Sequence, residues 1–217
     1  MPTEKFFNLR EDKQRAILEA ACRIFQETNY QEMTVSQVIK EADISRASFY
    51  SYFGDKEDIF RHMVRGLLEQ FRFRLMESLE REKGGFYQGM YGLLKELMES
   101  GDGLRYCRLC QKIAADQNCQ RIALEEEAAF CRGQEAKPFV RACYGLMDLE
   151  RYPDLNEERL ACLLELSAMI IVKTMLRYFW GQEEREQLEH VASIQLHILE
   201  KGIKAGPAEN GGERISA

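Results

Sequence analysis

Apolar side chains recur every three or four positions along nearly the whole chain, and that one period excludes most architectures. Ile17, Ala20, Ala21, Ile24 and Phe25 give it first, and Ile59, Phe60, Met63, Val64, Leu67, Leu68 and Phe71 repeat it. Such spacing places apolar groups on one face of an α-helix. No stretch alternates apolar and polar residues as a half-buried strand requires, and no internal repeat is visible. Four prolines and fifteen glycines among 217 residues leave room for long helices. The expected fold class is all-α.

Start and stop signals divide the pattern. Asn8 with Glu11 predicts a capping box opening a helix over residues 9–27. A polar loop covers 28–32. Thr34 with Gln37 predicts a second capping box, for a short helix over 35–42. Asp43-Ile44 is a tight connection, and Ser45 is an N-cap for a helix over 46–53. Gly54 ends that helix and Asp55 caps the next, a long one over 56–81 stopped by Gly84-Gly85. Helices are then expected over 86–99, 104–118 and 121–132, with a break at Gly101-Asp102-Gly103. Pro138 suits the first turn of another, and Tyr152-Pro153-Asp154 interrupts again. Asn156 caps a helix reaching Trp180, Gly181 stops it, and a last helix covers 183–201. Residues 204–217 have little to bury and are expected to be disordered.

Composition removes further classes. No run approaches 18 apolar residues, and the richest stretch, 160–180, is broken by Glu165, Lys173 and Arg177. The first 13 residues lack the apolar core of an export signal. Seven cysteines, an odd number without secretory context, point to a cytoplasmic protein with reduced thiols. Thirty basic against 36 acidic residues give a net charge of −6, which on a global sum counts against nucleic acid.

Residues 34–56 argue the other way. Two short helices joined by a tight turn and flanked by longer ones form a helix-turn-helix arrangement, in which the second helix enters a DNA major groove. That helix would show Ser45, Arg46, Ser48 and Tyr50 outward, with Ala47 small enough for close approach, and anchor through Phe49 and Phe53. Arg46 can pair with guanine O6 and N7. Hydroxyls of Thr34, Ser45, Tyr50 and Tyr52 can bond phosphates, and Lys56 can offer both its ammonium and its backbone amide. Lys40, Arg46 and Lys56 balance Glu41, Asp43 and Asp55, so position rather than bulk charge carries this reading.

At residues 16–25 (AILEAACRIF), 34–53 (TVSQVIKEADISRASFYSYF) and 55–60 (DKEDIF) the chain resembles the TetR family of bacterial transcription regulators. It departs at Asp43, where Gly is common, and at Val38-Ile39, where Ile-Ala is common. Asp tolerates a left-handed conformation, so the turn is expected to be kept. The resemblance implies an all-helical homodimer of about nine helices. Residues 1–55 would bind a palindromic operator in double-stranded DNA, and residues 56–203 would bind a small-molecule effector and dimerise. It also implies repression relieved by that effector, with the long helix from Lys56 as the lever. By the same likeness the last two long helices would build the dimer interface, with Leu163, Leu166, Ile170, Lys173, Val191, Ile194 and Ile198 as its candidates. Independently, the helix after Asn156 is apolar nearly all round, which requires burial on several sides.

Other chemistry is thin. Cys107 and Cys110 form C-x-x-C without a second pair, so a packed helix stripe outweighs a zinc site, and a thiol-based sensor is the alternative. His62, His190 and His197 lack the Glu-x-x-His pattern of di-iron bundles. No metal, cofactor or catalytic constellation is expected, and Glu125-Glu126-Glu127 reads as a solvated charge run. Aromatic residues crowd the middle of the chain, and Tyr91, Tyr106, Cys110, Phe130, Tyr144 and Trp180 are candidates to line an effector pocket. A helical dimer that binds ligand or protein, with weak or lost DNA binding, is the other alternative.

Overall fold

The computed structural model describes residues 2–99, 101–134, 136–181 and 183–204, with the backbone alone for 101–107, 132 and 203–204. Eleven helices and no strand occur among the described residues: α1 (Glu4–Phe7), α2 (Glu11–Glu27), α3 (Val35–Glu41), α4 (Arg46–Tyr52), α5 (Lys56–Arg81), α6 (Phe86–Glu99), α7 (Gly101–Ala115), α8 (Gln117–Arg132), α9 (Ala136–Leu146), α10 (Glu157–Phe179) and α11 (Arg185–Lys204). The chain forms two compact units. The first comprises Met1–Arg74 and Glu96–Lys137, and the second Leu75–Lys95 and Pro138–Ala217. The first therefore takes in α7 and α8 beyond the 1–55 segment.

Local signals explain most boundaries. Thr34 and Gln37 close both halves of a capping box on α3. Asp43 takes φ 49°, and the Ile44 amide reaches back to the Ile39 carbonyl at 3.1 Å. That six-residue closure is the usual way a helix ends on a left-handed residue, so Asp43 does here what glycine more often does. Asn156 caps α10 by accepting from the Arg159 amide at 2.8 Å. Gly84 has φ 74°, and a Cβ there would lie 2.3 Å from the Leu146 carbonyl oxygen. Only glycine fits.

Several expectations are corrected. Asn8 does not open α2. Its amide bonds the Glu4 carbonyl at 3.0 Å, so it closes the short α1 instead, and α2 starts at Glu11 with no side-chain cap. Gly101, Asp102 and Gly103, expected as a break, are helical and open α7. The α7–α8 boundary falls at Asp116, whose carboxylate accepts from the Asn118 and Cys119 amides at 2.8 and 3.0 Å. The last helix runs three residues beyond Lys201, to Lys204. The expected disorder of residues 205–217 lies outside the described residues.

The core of the first unit is a ring-rich cluster. Phe6, Ile17, Phe25, Val38, Phe49, Phe53, Ile59 and Phe60 are buried in it with Leu109, Cys119 and Ile122 from α7 and α8. Glu125, Glu126 and Glu127 are not a solvated run. Arg61 donates to Glu125 and Glu126 at 2.5 and 3.2 Å, Arg65 to Glu126 at 2.7 Å, and Arg72 to Glu127 at 2.6 Å. Glu126 is only 7% exposed, so α8 is tied to α5 by a ladder of charge-assisted bonds. The sequence period of each helix does not reveal which carboxylates meet arginines on another.

Candidate nucleic-acid interface

The second helix of the pair, α4, is divided between two environments. Phe49 and Phe53 are fully buried, with ring centroids 5.4 Å apart. Ser45, Arg46, Ala47 and Tyr50 are exposed and Ser48 is half-buried. Helical spacing produces this split: positions 49 and 53 share one face, and 46, 47 and 50 the other. The outward face thus carries a guanidinium, a methyl and a phenol, the groups that read base edges and phosphates. The Arg46 guanidinium lies over the Tyr50 ring, 5.6 Å from its centroid, and 3.5 Å from its hydroxyl.

The expected hydroxyls already have local duties. Ser45 Oγ accepts from the Ser48 amide at 3.0 Å and lies 2.8 Å from Ser48 Oγ. The exposed Thr34 donates its hydroxyl to Gln37 Oε1 at 2.8 Å and accepts from the Gln37 amide at 3.3 Å. Tyr52 is half-buried, with its ring edge on Phe6. Lys56 is turned inward. Its ammonium donates to the carbonyls of Tyr30, Gln31 and Met33 at 2.9, 3.2 and 3.2 Å and sits 4.7 Å from the Tyr30 ring centroid. The Lys56 ammonium, expected to bond a phosphate, closes the 30–33 loop. Lys112 acts likewise on the Thr28 carbonyl at 2.6 Å.

Sequence reasoning missed residues 3–7. Thr3 bonds the end of α4 through both its amide and its hydroxyl, and Phe6 is fully buried. The available signal was the pair Phe6-Phe7, two rings in an otherwise polar stretch.

The candidate interface residues of the second unit lie on α10 and α11. Leu166, Lys173, Val191, Ile194 and Ile198 are exposed, and Leu163 and Ile170 are half-buried. Met169 joins them at 64% exposure, beside Ile198 at 62%. The opposite face of α10 is buried through Leu160, Leu164, Ile171 and Met175.

The candidate pocket residues are divided between the two units. Cys110 and Phe130 belong to the first unit, where the Arg72 guanidinium lies 3.4 Å from the Phe130 ring centroid. Tyr91, Tyr144 and Trp180 belong to the second unit. There Tyr91 stacks on Tyr87 at 5.5 Å, Tyr144 donates to the Leu155 carbonyl at 3.1 Å, and Trp180 is half exposed at the end of α10. The side chains of Tyr106 and Cys107 lie outside the described residues, and Cys110 is half-buried. Cys119 and Cys143 are poor sensors, since burial pushes each thiol up to about 12.

Comparison with known proteins places this geometry. The family model for bacterial regulatory proteins, tetR family, matches residues 17–63. The HTH-type transcriptional regulator HbdR of Aromatoleum sp. (strain CIB) is 32% identical over 72 residues, 33% of this chain and 31% of that protein. The chain thus spans about a third of the length of the curated relatives it matches. Among solved structures, Bacillus subtilis FadR in complex with stearoyl-CoA aligns with TM-score 0.57 at 17% identity, covering 87% of this chain and 98% of that one. The TetR family repressor AlkX of Dietzia sp., implicated in biodegradation of n-alkanes, aligns with TM-score 0.51 at 16% identity, covering 88% and 97%. The fold is shared over most of the chain, whereas the family model matches only residues 17–63.

Proposed function

With a DNA-binding segment of the tetR family as premise, we propose that this protein is a homodimeric transcription regulator, a repressor released from a palindromic operator by a small-molecule effector. The observation that carries this reading is the division of α4: Phe49 and Phe53 are sealed in the core while Arg46, Ala47 and Tyr50 face outward. Residues 1–55 would read DNA, with Thr34, Ser45, Arg46, Ala47, Ser48, Tyr50 and Tyr52 at the surface and Lys56 contributing its amide. Residues 56–203 would dimerise and bind the effector.

Dimerisation is supported by the uncovered apolar stripe of Leu166, Met169, Val191, Ile194 and Ile198. A patch of this kind on a small helical unit favours burial against a like surface. Two recognition helices would then meet half-sites roughly 34–36 Å apart. The effector is supported by the stearoyl-CoA held by a protein of the same fold. Effector binding lowers operator affinity only through a difference in affinity for two states. Helix α5, which like α6 and α9 contributes residues to both compact units, is the element whose displacement would carry that difference.

Selection from a random-sequence DNA pool with the purified protein tests the reading. A two-fold symmetric site should emerge, binding should weaken steeply with salt, and Arg46→Ala should relax preference at a fixed guanine in each half-site. Enrichment of no sequence would sink it.

A second reading is a helical dimer that binds ligand or protein without DNA. The zero charge balance of residues 34–56 and the inward Lys56 ammonium favour it. A flat salt dependence with intact dimerisation would select it.

A further inference from the structure

Helix α4 has only seven residues, so the carbonyls of its last turn lack partners within the helix. Two of these carbonyls are satisfied by one residue from the start of the chain. The Thr3 hydroxyl donates to the Ser51 carbonyl at 2.6 Å, and the Thr3 amide donates to the Tyr52 carbonyl at 2.9 Å. Three residues on, Phe6 is driven fully into the core. Its ring lies 4.9 Å from Phe53, 6.2 Å from Tyr52 and 5.3 Å from His62, centroid to centroid. Thr3 therefore holds the carbonyl end of α4, and Phe6 wedges that end against α5. The family-matched segment begins at residue 17, so both residues lie outside it.

We propose that Thr3 and Phe6 are positioning residues for the recognition helix. Through the end of α4 they fix the direction in which Arg46 and Tyr50 project, without touching DNA themselves. The inference rests on the DNA-binding reading above and deepens it. A short helix anchored by two phenylalanines on one side can still roll or fray at its last turn. The clamp at Ser51 and Tyr52 removes that freedom, and base readout depends on geometry held to well under a hydrogen-bond length.

Phe6→Ala would empty a fully buried ring site and endanger the fold, so Thr3→Val and Thr3→Ser are the working variants. Valine keeps the size and the backbone bond but loses the hydroxyl donor, whereas serine restores it. Amide hydrogen exchange is read first, on the free full-length protein. Thr3→Val should speed exchange at residues 50–53 roughly fivefold, the weight of one hydrogen bond, while α2 is unchanged and Thr3→Ser matches the wild type. DNA binding is read second, on the site selected by the wild type and on a random duplex. Thr3→Val should weaken the selected site roughly fivefold and leave the random duplex unaltered. Unchanged exchange at residues 50–53 overturns the proposal, as does an equal loss on both duplexes. A wild type without sequence preference defeats the DNA-binding reading instead, and the exchange comparison still decides whether Thr3 clamps α4.

Discussion

The two compact units solve the burial problem differently. In the first, seven-residue helices survive because their rings interlock: Phe6, Phe25, Phe49, Phe53 and Phe60 are each almost completely inaccessible. An arginine–carboxylate ladder between α5 and α8 adds directional bonds to that apolar core. In the second, α10 and α11 pack on each other yet leave Leu166, Met169, Val191, Ile194 and Ile198 open. The first unit buries these five rings within one chain, while Phe7, Phe73 and Leu124 stay exposed on it. The second leaves this apolar surface of α10 and α11 in water, where the proposed dimer would cover it.

The contrast can be broken at four points. The largest effect is expected in the sealed core. Phe49→Ala should cost about 3–5 kcal/mol, because the ring's contacts are lost and a cavity remains. Urea unfolding followed by circular dichroism measures it, and a loss below the cost of one methylene would mean that α4 is loosely held. Next is the ladder. Glu126→Ala removes the acceptor shared by Arg61 and Arg65 and should cost about 1–3 kcal/mol in the same assay. An unchanged midpoint would show that the arginines find other carboxylates.

On the open stripe the expected outcome is the reverse. Ile198→Glu should leave the unfolding of one chain nearly unaltered and weaken self-association at least roughly tenfold, about 1.4 kcal/mol. Analytical ultracentrifugation across a concentration series reads this. A mass independent of the substitution would place the interface elsewhere.

The smallest effect concerns His62. Its ring meets Phe6 and Phe7 edge-on at 5.3 and 5.7 Å. Burial first, and Arg65 second, hold its pKa below the ordinary histidine value, against the opposing pull of Glu126. The unfolded chain therefore takes up the proton more readily than the folded one. The stability that neutral His62 contributes is complete above about pH 6.5 and is lost as pH falls below that through the depressed value. His62→Gln should flatten the fall in melting temperature as pH drops below about 6.5. An identical slope in both proteins would reject the assignment.

How far these features were legible depends on the range of the force behind them. Capping is local: Thr34 with Gln37, Ser45 with Ser48, and Asn156 with Arg159 are bonded over three residues, and the sequence marks each capping residue. The left-handed turn at Asp43 was legible for the same reason. Asn8 misled because the short α1 ends on it, with its backbone amide closing on the Glu4 carbonyl. The facing of Phe49 and Phe53 against Arg46 and Tyr50 follows from helical geometry alone.

Pairing across helices was not legible. Nothing in a triplet of glutamates says that Arg61, Arg65 and Arg72 will stand opposite, since the match depends on how α8 lies along α5. Nor does Lys56 announce that its ammonium will fill a cluster of carbonyls twenty-odd residues earlier instead of reaching outward. The amino-acid sequence by itself determined most of the helices, the caps at Thr34, Ser45 and Asn156 and the outward face of α4, because period and hydrogen bonding act within a turn or two. The tertiary structure alone decided that Thr3 secures the end of α4 and that Glu126 is buried between arginines, because those contacts join residues 48 and more apart that only a packed core brings within bonding distance.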